Sequence, residues 1–133
     1  MKSQNTKKTF IVDDDPFWTA ILTEILTELG YSNIVTFKNG QDCIDHLHLN
    51  PNIVFLDYQM EDMNGIEVLK NVKQYFPRIG VVFCTAYEDL SVAVTAMKYG
   101  SFDYLLKSNA NKREVASIIK QMTENQLLAE KIY

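Results

Sequence analysis

Five short apolar runs, near residues 8 to 13, 33 to 37, 53 to 57, 79 to 84 and 102 to 106, alternate with stretches of helical period. That alternation leaves few folds open. Each run lacks the in/out pattern of a half-solvated strand, as strands buried on both faces do. Right-handed crossovers between parallel strands place the intervening helices on both faces of one sheet. The expectation is an α/β class domain, a (βα)5 doubly wound five-stranded parallel sheet. At 133 residues, 47% hydrophobic and 23% charged, the chain suits one compact domain.

The helices carry their own punctuation. Asp15 caps the first, Pro16 suits its first turn and Gly30 ends it. Phe17, Ile21, Leu22, Ile25, Leu26 and Leu29 form its expected apolar face, with Thr23, Glu24, Thr27 and Glu28 in water. The second helix is expected from about 40 to 49, stopping before Pro51, and the third from about 66 to 76, stopping before Pro77. A fourth from about 91 to 99 ends at Gly100, and a last begins after Asn111 with Val115, Ile118, Ile119 and Met122 on one face.

Polar residues close the strands. Asp13 and Asp14 follow the first run, Asp57 ends the third, Thr85 follows the fourth and Lys107 the fifth. In an open α/β sheet, the carboxyl ends of the strands form the crevice that binds ligands. Two carboxylates about 4 Å apart repel by roughly 4 kcal/mol at an effective dielectric of about 20, so a divalent cation is their natural occupant. An all-oxygen donor set selects magnesium or calcium. A metal cradle, a nucleophilic carboxylate, a hydroxyl and an ammonium together are the parts of a phosphoryl-transfer site.

The segments FIVDDDP, IVFLDYQMEDMNGIEVL, VVFCTA and GSFDYLLK, in this order and spacing, resemble the response regulator receiver domain of two-component signalling over about residues 7 to 125. The resemblance implies a flavodoxin-like strand order 2-1-3-4-5 and a phosphorylation-controlled switch. It implies that Asp57 accepts phosphate from a histidine kinase or phosphotransfer protein, with self-catalysed transfer and dephosphorylation rather than conventional enzymatic turnover. Asp14, Asp57 and the Gln59 backbone carbonyl then bind Mg2+, with Asp13 acting mainly through metal-bound water. Lys107 and Thr85 contact the phosphoryl oxygens, and Tyr104 is the aromatic residue whose rotamer follows Thr85. The same resemblance places output, and a possible homodimer, on the fourth helix, fifth strand and fifth helix. AMKYGSFDYLLK adds a similarity to receivers of enhancer-binding transcription activators.

Two departures stand out: Glu61 follows Met60 and Ser108 follows Lys107, where many relatives carry proline. A cis bond before a non-proline costs about 3 kcal/mol, so the Lys107 peptide is trans unless strongly constrained, and a more mobile loop after the fifth strand is expected. Among rival functions, a haloacid dehalogenase phosphatase needs a second acid where Gln59 stands. A flavodoxin needs a hydroxyl- and glycine-rich phosphate loop where Asp13 to Asp15 would repel phosphate. A pseudo-receiver that binds partners without phosphorylation is the remaining alternative, and the complete residue set weighs against it.

The net charge of −4 argues against direct nucleic-acid binding. Without a signal-peptide or membrane-spanning apolar stretch, the chain is expected to be cytoplasmic. Cys43 and Cys84 lack metal-ligand or disulfide spacing. His46 and His48, two apart, do not face one another on a helix and suit the surface. Trp18 suits the core. Residues 1–6 read as a disordered lead, and residues 126–133 as a helical extension or the start of a linker, which suggests a piece of a larger regulator. Val115, Ile118, Met122, Ala129 and Ile132 sit near heptad spacing, interrupted by Asn125, as in a dimer seam.

Overall fold

The computed structural model describes residues 7–132, the last two by backbone alone. The lead expected at residues 1–6 lies outside the described residues. Five strands, β1 (Thr9–Val12), β2 (Ile34–Phe37), β3 (Ile53–Asp57), β4 (Gly80–Thr85) and β5 (Asp103–Leu106), pair in parallel in the order β2-β1-β3-β4-β5. The helices between and after them are α1 (Pro16–Glu28), α2 (Gly40–Asp45), α3 (Gly65–Tyr75), α4 (Leu90–Lys98) and α5 (Lys112–Ile132).

The sheet has no solvated face, which is why its strands read as unbroken apolar runs. Phe10, Val12, Val54, Leu56, Val81 and Phe83 share one core with Cys43, Val68, Leu69, Val72 and Ala96 from α2, α3 and α4. Ile11, Ile53, Phe55, Val82, Cys84 and Leu105 share the other with α1 and α5. Successive strand residues alternate between the two cores, as the pleat requires.

The α1 signals act locally as expected. The Asp15 carboxylate accepts from the Phe17 N–H, Pro16 opens the helix, and Gly30 follows its end at φ +95°. The docking face differs from the sequence expectation. Trp18, Leu22 and Leu26 are buried, whereas Phe17 is 74% exposed and Ile21 is 38% exposed. The apolar stripe spans more of the helix circumference than the sheet covers, and burying the indole turns Phe17 outward.

The second helix is shorter than expected. α2 ends at Asp45, His46 Nδ1 lies 2.7 Å from the Asp42 carbonyl oxygen, and a separate 3-10 turn covers Leu47–Leu49. Asn50, at φ 63°, closes that turn before Pro51 is reached. The side chain of Asp62, far along the chain, accepts from the N–H groups of Gly40 and Gln41 at 3.1 and 2.8 Å and caps α2 from the loop after β3.

α5 lays Val115, Ile118, Ile119 and Met122 into the core, so the first residues of the heptad series face the chain's own sheet. A dimer seam through Val115, Ile118 and Met122 is therefore excluded, because those side chains are already buried. The helix runs on past residue 125. Gln126 Nε2 donates to the carbonyls of Asn52 and Arg78 at 3.1 and 3.2 Å, tying α5 to the loops before β3 and β4.

Candidate functional site

Register gathers the acids. Val12 pairs with Leu56, so Asp13 and Asp57, each one residue further on, stand side by side at the carboxyl edge. Asp57 in turn pairs with Cys84, and Thr85 pairs with Leu106, which places Thr85 and Lys107 on the same rim. One carboxylate oxygen from each of Asp13, Asp14 and Asp57 lies within 4.8 Å of the others. Asp13 and Asp57 are buried while Asp14 is exposed.

Lys107 is the cation of this cluster. Its Nζ lies 2.7 Å from Asp13 Oδ2 and 3.5 Å from Asp57 Oδ1. Asp13 Oδ2 is thus held by the Lys107 ammonium, while Asp13 Oδ1 accepts from the Asp15 N–H at 2.9 Å. Nζ also stands 5.7 Å from the centre of the Trp18 ring. No cis peptide occurs among the described residues, so Lys107 is followed by a trans bond and opens a 3-10 turn, Lys107–Asn109.

Crowding shifts these groups. Burial, then the charge of Asp13, pushes the Asp57 carboxyl up to about 6 against the pull of Lys107. Asp13 is raised too, by burial first, with Lys107 and the Asp15 N–H opposing. Burial alone would lower Lys107, but the carboxylates of Asp13 and Asp57 raise it, so it stays charged. Three carboxylates facing one ammonium leave the pocket short of positive charge. An all-oxygen cluster of this spacing fits a hard divalent cation.

The two residues expected to switch, Thr85 and Tyr104, share Tyr87 as a partner. Thr85 is buried, and its Oγ1 accepts from the Tyr87 N–H at 3.4 Å. Tyr104, half-buried, donates its hydroxyl to the Tyr87 carbonyl at 3.2 Å. The rings of Tyr58, Phe83 and Tyr104 follow one another, with centres 6.2 and 6.5 Å apart. Gln59 sits exposed in the loop after β3. Gly65 is required there, because a Cβ would strike the Asp57 carbonyl and the Phe83 ring.

Both thiols are buried. Burial raises Cys43 to about 12 and raises Cys84 further, so neither offers a thiolate near neutral pH. Two contributions escaped sequence reasoning. The long-range cap from Asp62 has no local signature, and the stacking of Trp18 against Lys107 joins residues far apart in the chain.

Residues 9–126 match the response regulator receiver domain family. The chain belongs to that family. It is 39% identical over 99 residues to the DNA-binding transcriptional regulator NtrC of Klebsiella pneumoniae, covering 74% of this chain and 21% of NtrC. It is 30% identical over 115 residues to the chemotaxis protein CheY of Thermotoga maritima, covering 86% of this chain and 96% of CheY. A CheY-like receiver domain structure from Methanospirillum hungatei superposes with a TM-score of 0.84 at 24% identity, covering 94% of this chain and 99% of that one. The chain thus spans about a fifth of NtrC but nearly all of CheY.

Receiver domains act in phosphorylation-based two-component signalling, as phosphoacceptors rather than conventional enzymes. They bind Mg2+ at an acidic pocket of the kind formed here by Asp13, Asp14 and Asp57, and they interact with histidine kinases or phosphotransfer proteins. No helix among the described residues is long and apolar enough to cross a membrane.

Proposed function

We propose that this receiver domain takes a phosphoryl group onto Asp57 from a phosphohistidine of a sensor kinase or phosphotransfer protein, in a magnesium-dependent reaction, and changes its output surface in response. The observation that carries the reading is the convergence of three carboxylates and Lys107 at one sheet edge. A pseudo-receiver working by contact alone has no need to crowd buried acids in this way.

Asp13, Asp14, Asp57 and the backbone carbonyl of Gln59 would hold Mg2+, which when bound supplies positive charge to the phosphoryl oxygens. Asp57 is the nucleophile. Its carboxylate oxygen bonds to phosphorus as the donor's P–N bond breaks, and the imidazole nitrogen leaves with that electron pair. Lys107, charged and already between Asp13 and Asp57, neutralises the transferred group. Thr85 then leaves the Tyr87 N–H and donates its hydroxyl to a phosphoryl oxygen, and Tyr104 follows as its tie to the same residue is released. Such a shift needs only a better fit of the phosphoryl group to one of two near-balanced loop arrangements.

The α4–β5–α5 face suits the output surface. Leu90, Val94 and Met97, one helical stripe, are 78%, 58% and 48% exposed. A second receiver or a downstream segment would dock there, with residues 7–125 as the receiver body and residues 126–133 as a helical extension. A cytoplasmic site of action follows from a kinase donor. The test uses phosphoramidate, whose P–N bond mimics phosphohistidine, and phosphorus NMR. With magnesium, an acyl phosphate resonance is expected on the native chain and not after EDTA or in Asp14→Ala. Its absence from the native chain with magnesium would overturn the reading.

A further inference from the structure

We propose that Trp18 is a positioning residue for Lys107, holding the ammonium at the pocket through its ring face; this rests on the phosphoryl-acceptor reading above. Trp18 lies on the first turn of α1, 5% exposed, within the core shared by Leu105, Val115 and Ile118. Lys107 Nζ stands 5.7 Å from its ring centre while contacting Asp13 and Asp57 on another side. An ammonium within about 6 Å of an indole face is attracted by the ring's quadrupole, most strongly where water is excluded. The Lys107 side chain is only 13% exposed.

Local chain geometry makes such a support useful. Lys107 is followed by Ser108 in a trans peptide and begins a 3-10 turn, so no proline ring stiffens its backbone. A lysine stem carries four rotatable bonds, and fixing them by backbone alone is costly in entropy. The Trp18 ring, 5.7 Å from Nζ, reduces that freedom. It does so without a directed hydrogen bond. Ring attraction changes gradually with position, so Nζ can slide from Asp13 toward a phosphoryl group on Asp57 while remaining over the indole. Aliphatic packing at the same position would fill the core equally but leave the ammonium without that attraction.

Trp18 is the only tryptophan in the sequence, so tryptophan fluorescence comes from this position alone. In metal-free protein, Lys107→Met is expected to alter the Trp18 emission relative to the native chain. Beryllofluoride with magnesium, a phosphoryl mimic, is expected to change native emission and to leave Lys107→Met unmoved. Phosphorylation by acetyl phosphate, followed at equal folded fraction, should slow about fivefold in Trp18→Leu. Trp18→Phe, which restores a weaker ring face, should recover part of that loss, and fluorinated tryptophan at position 18, which weakens the ring quadrupole with little change in volume, should also slow the reaction, an effect that packing alone does not produce. Coincident native and Lys107→Met emission in metal-free protein overturns the proposal, as does a native rate in a folded Trp18→Leu. If Trp18→Leu fails to fold, the emission comparison still decides. If the native chain takes up no phosphoryl group, the phosphoacceptor reading fails, and the metal-free emission decides the Trp18 contact separately.

Discussion

Asp57 combines a charge, a burial and a task that conflict until a cation arrives. Its carboxyl is pushed up to about 6 from 3.8, first by burial and next by Asp13. A carboxyl whose folded pKa exceeds its unfolded value holds its proton more tightly in the folded chain. Its contribution to stability is fully present below about 3.8 and is lost as pH rises through about 6. In metal-free protein, Asp57→Asn should therefore melt higher than the native chain at pH 7 and match it more closely near pH 4. The shift bounds the gap at pH 7 at about 3 kcal/mol, and loss of the Lys107 contact in Asp57→Asn brings the expected gap down to about 1 kcal/mol, or roughly 4 °C. Thermal melts across that range measure it, and a gap that widens toward pH 4 would contradict the electrostatic assignment. Saturating magnesium should narrow the gap, because a ligand that binds only the folded state adds about 2.7 kcal/mol at 100 times its dissociation constant.

At the scale of elements, the start of α3 packs tightly against the end of β3. A Cβ on Gly65 would meet the Asp57 carbonyl, a backbone atom that no rotamer change can move aside. Gly65→Ala should destabilise the fold by about 2 kcal/mol and slow phosphorylation, since α3 can yield only by displacing the strand end that carries Asp57. Chemical denaturation and acetyl phosphate kinetics check both effects. Strands and their polar ends were legible in the sequence because two-sided burial and strand-end acids are local patterns. Gly30 and the Asp15 cap were legible for the same reason. The α1 face was not, since Phe17 and Ile21 fit the same period as Leu22 and Leu26, and only tertiary docking decides which are covered. The break in α2 followed from a side-chain bond at His46 rather than from Pro51. The cap on Gly40 and Gln41 by Asp62 joins segments whose proximity exists only after folding.

For the whole molecule, the two ends of the sheet differ in purpose. The carboxyl edge carries the charged pocket, while the opposite edge is bound to α5 through Gln126. With Val115, Ile118 and Met122 buried, Leu90, Val94 and Met97 of α4 form an exposed apolar stripe suited to self-association. Sedimentation of the beryllofluoride-treated chain should reveal a dimer that Val94→Asp removes, while the untreated chain sediments as a monomer. A monomer under both conditions would leave that face to a different partner and remove the homodimer. The account as a whole depends on Asp57 being the group that is modified. Intact mass spectrometry after acetyl phosphate and magnesium tests this most directly. One added phosphoryl group on the native chain and none on Asp57→Ala is the expected result; equal addition to both chains, or to neither, would contradict it.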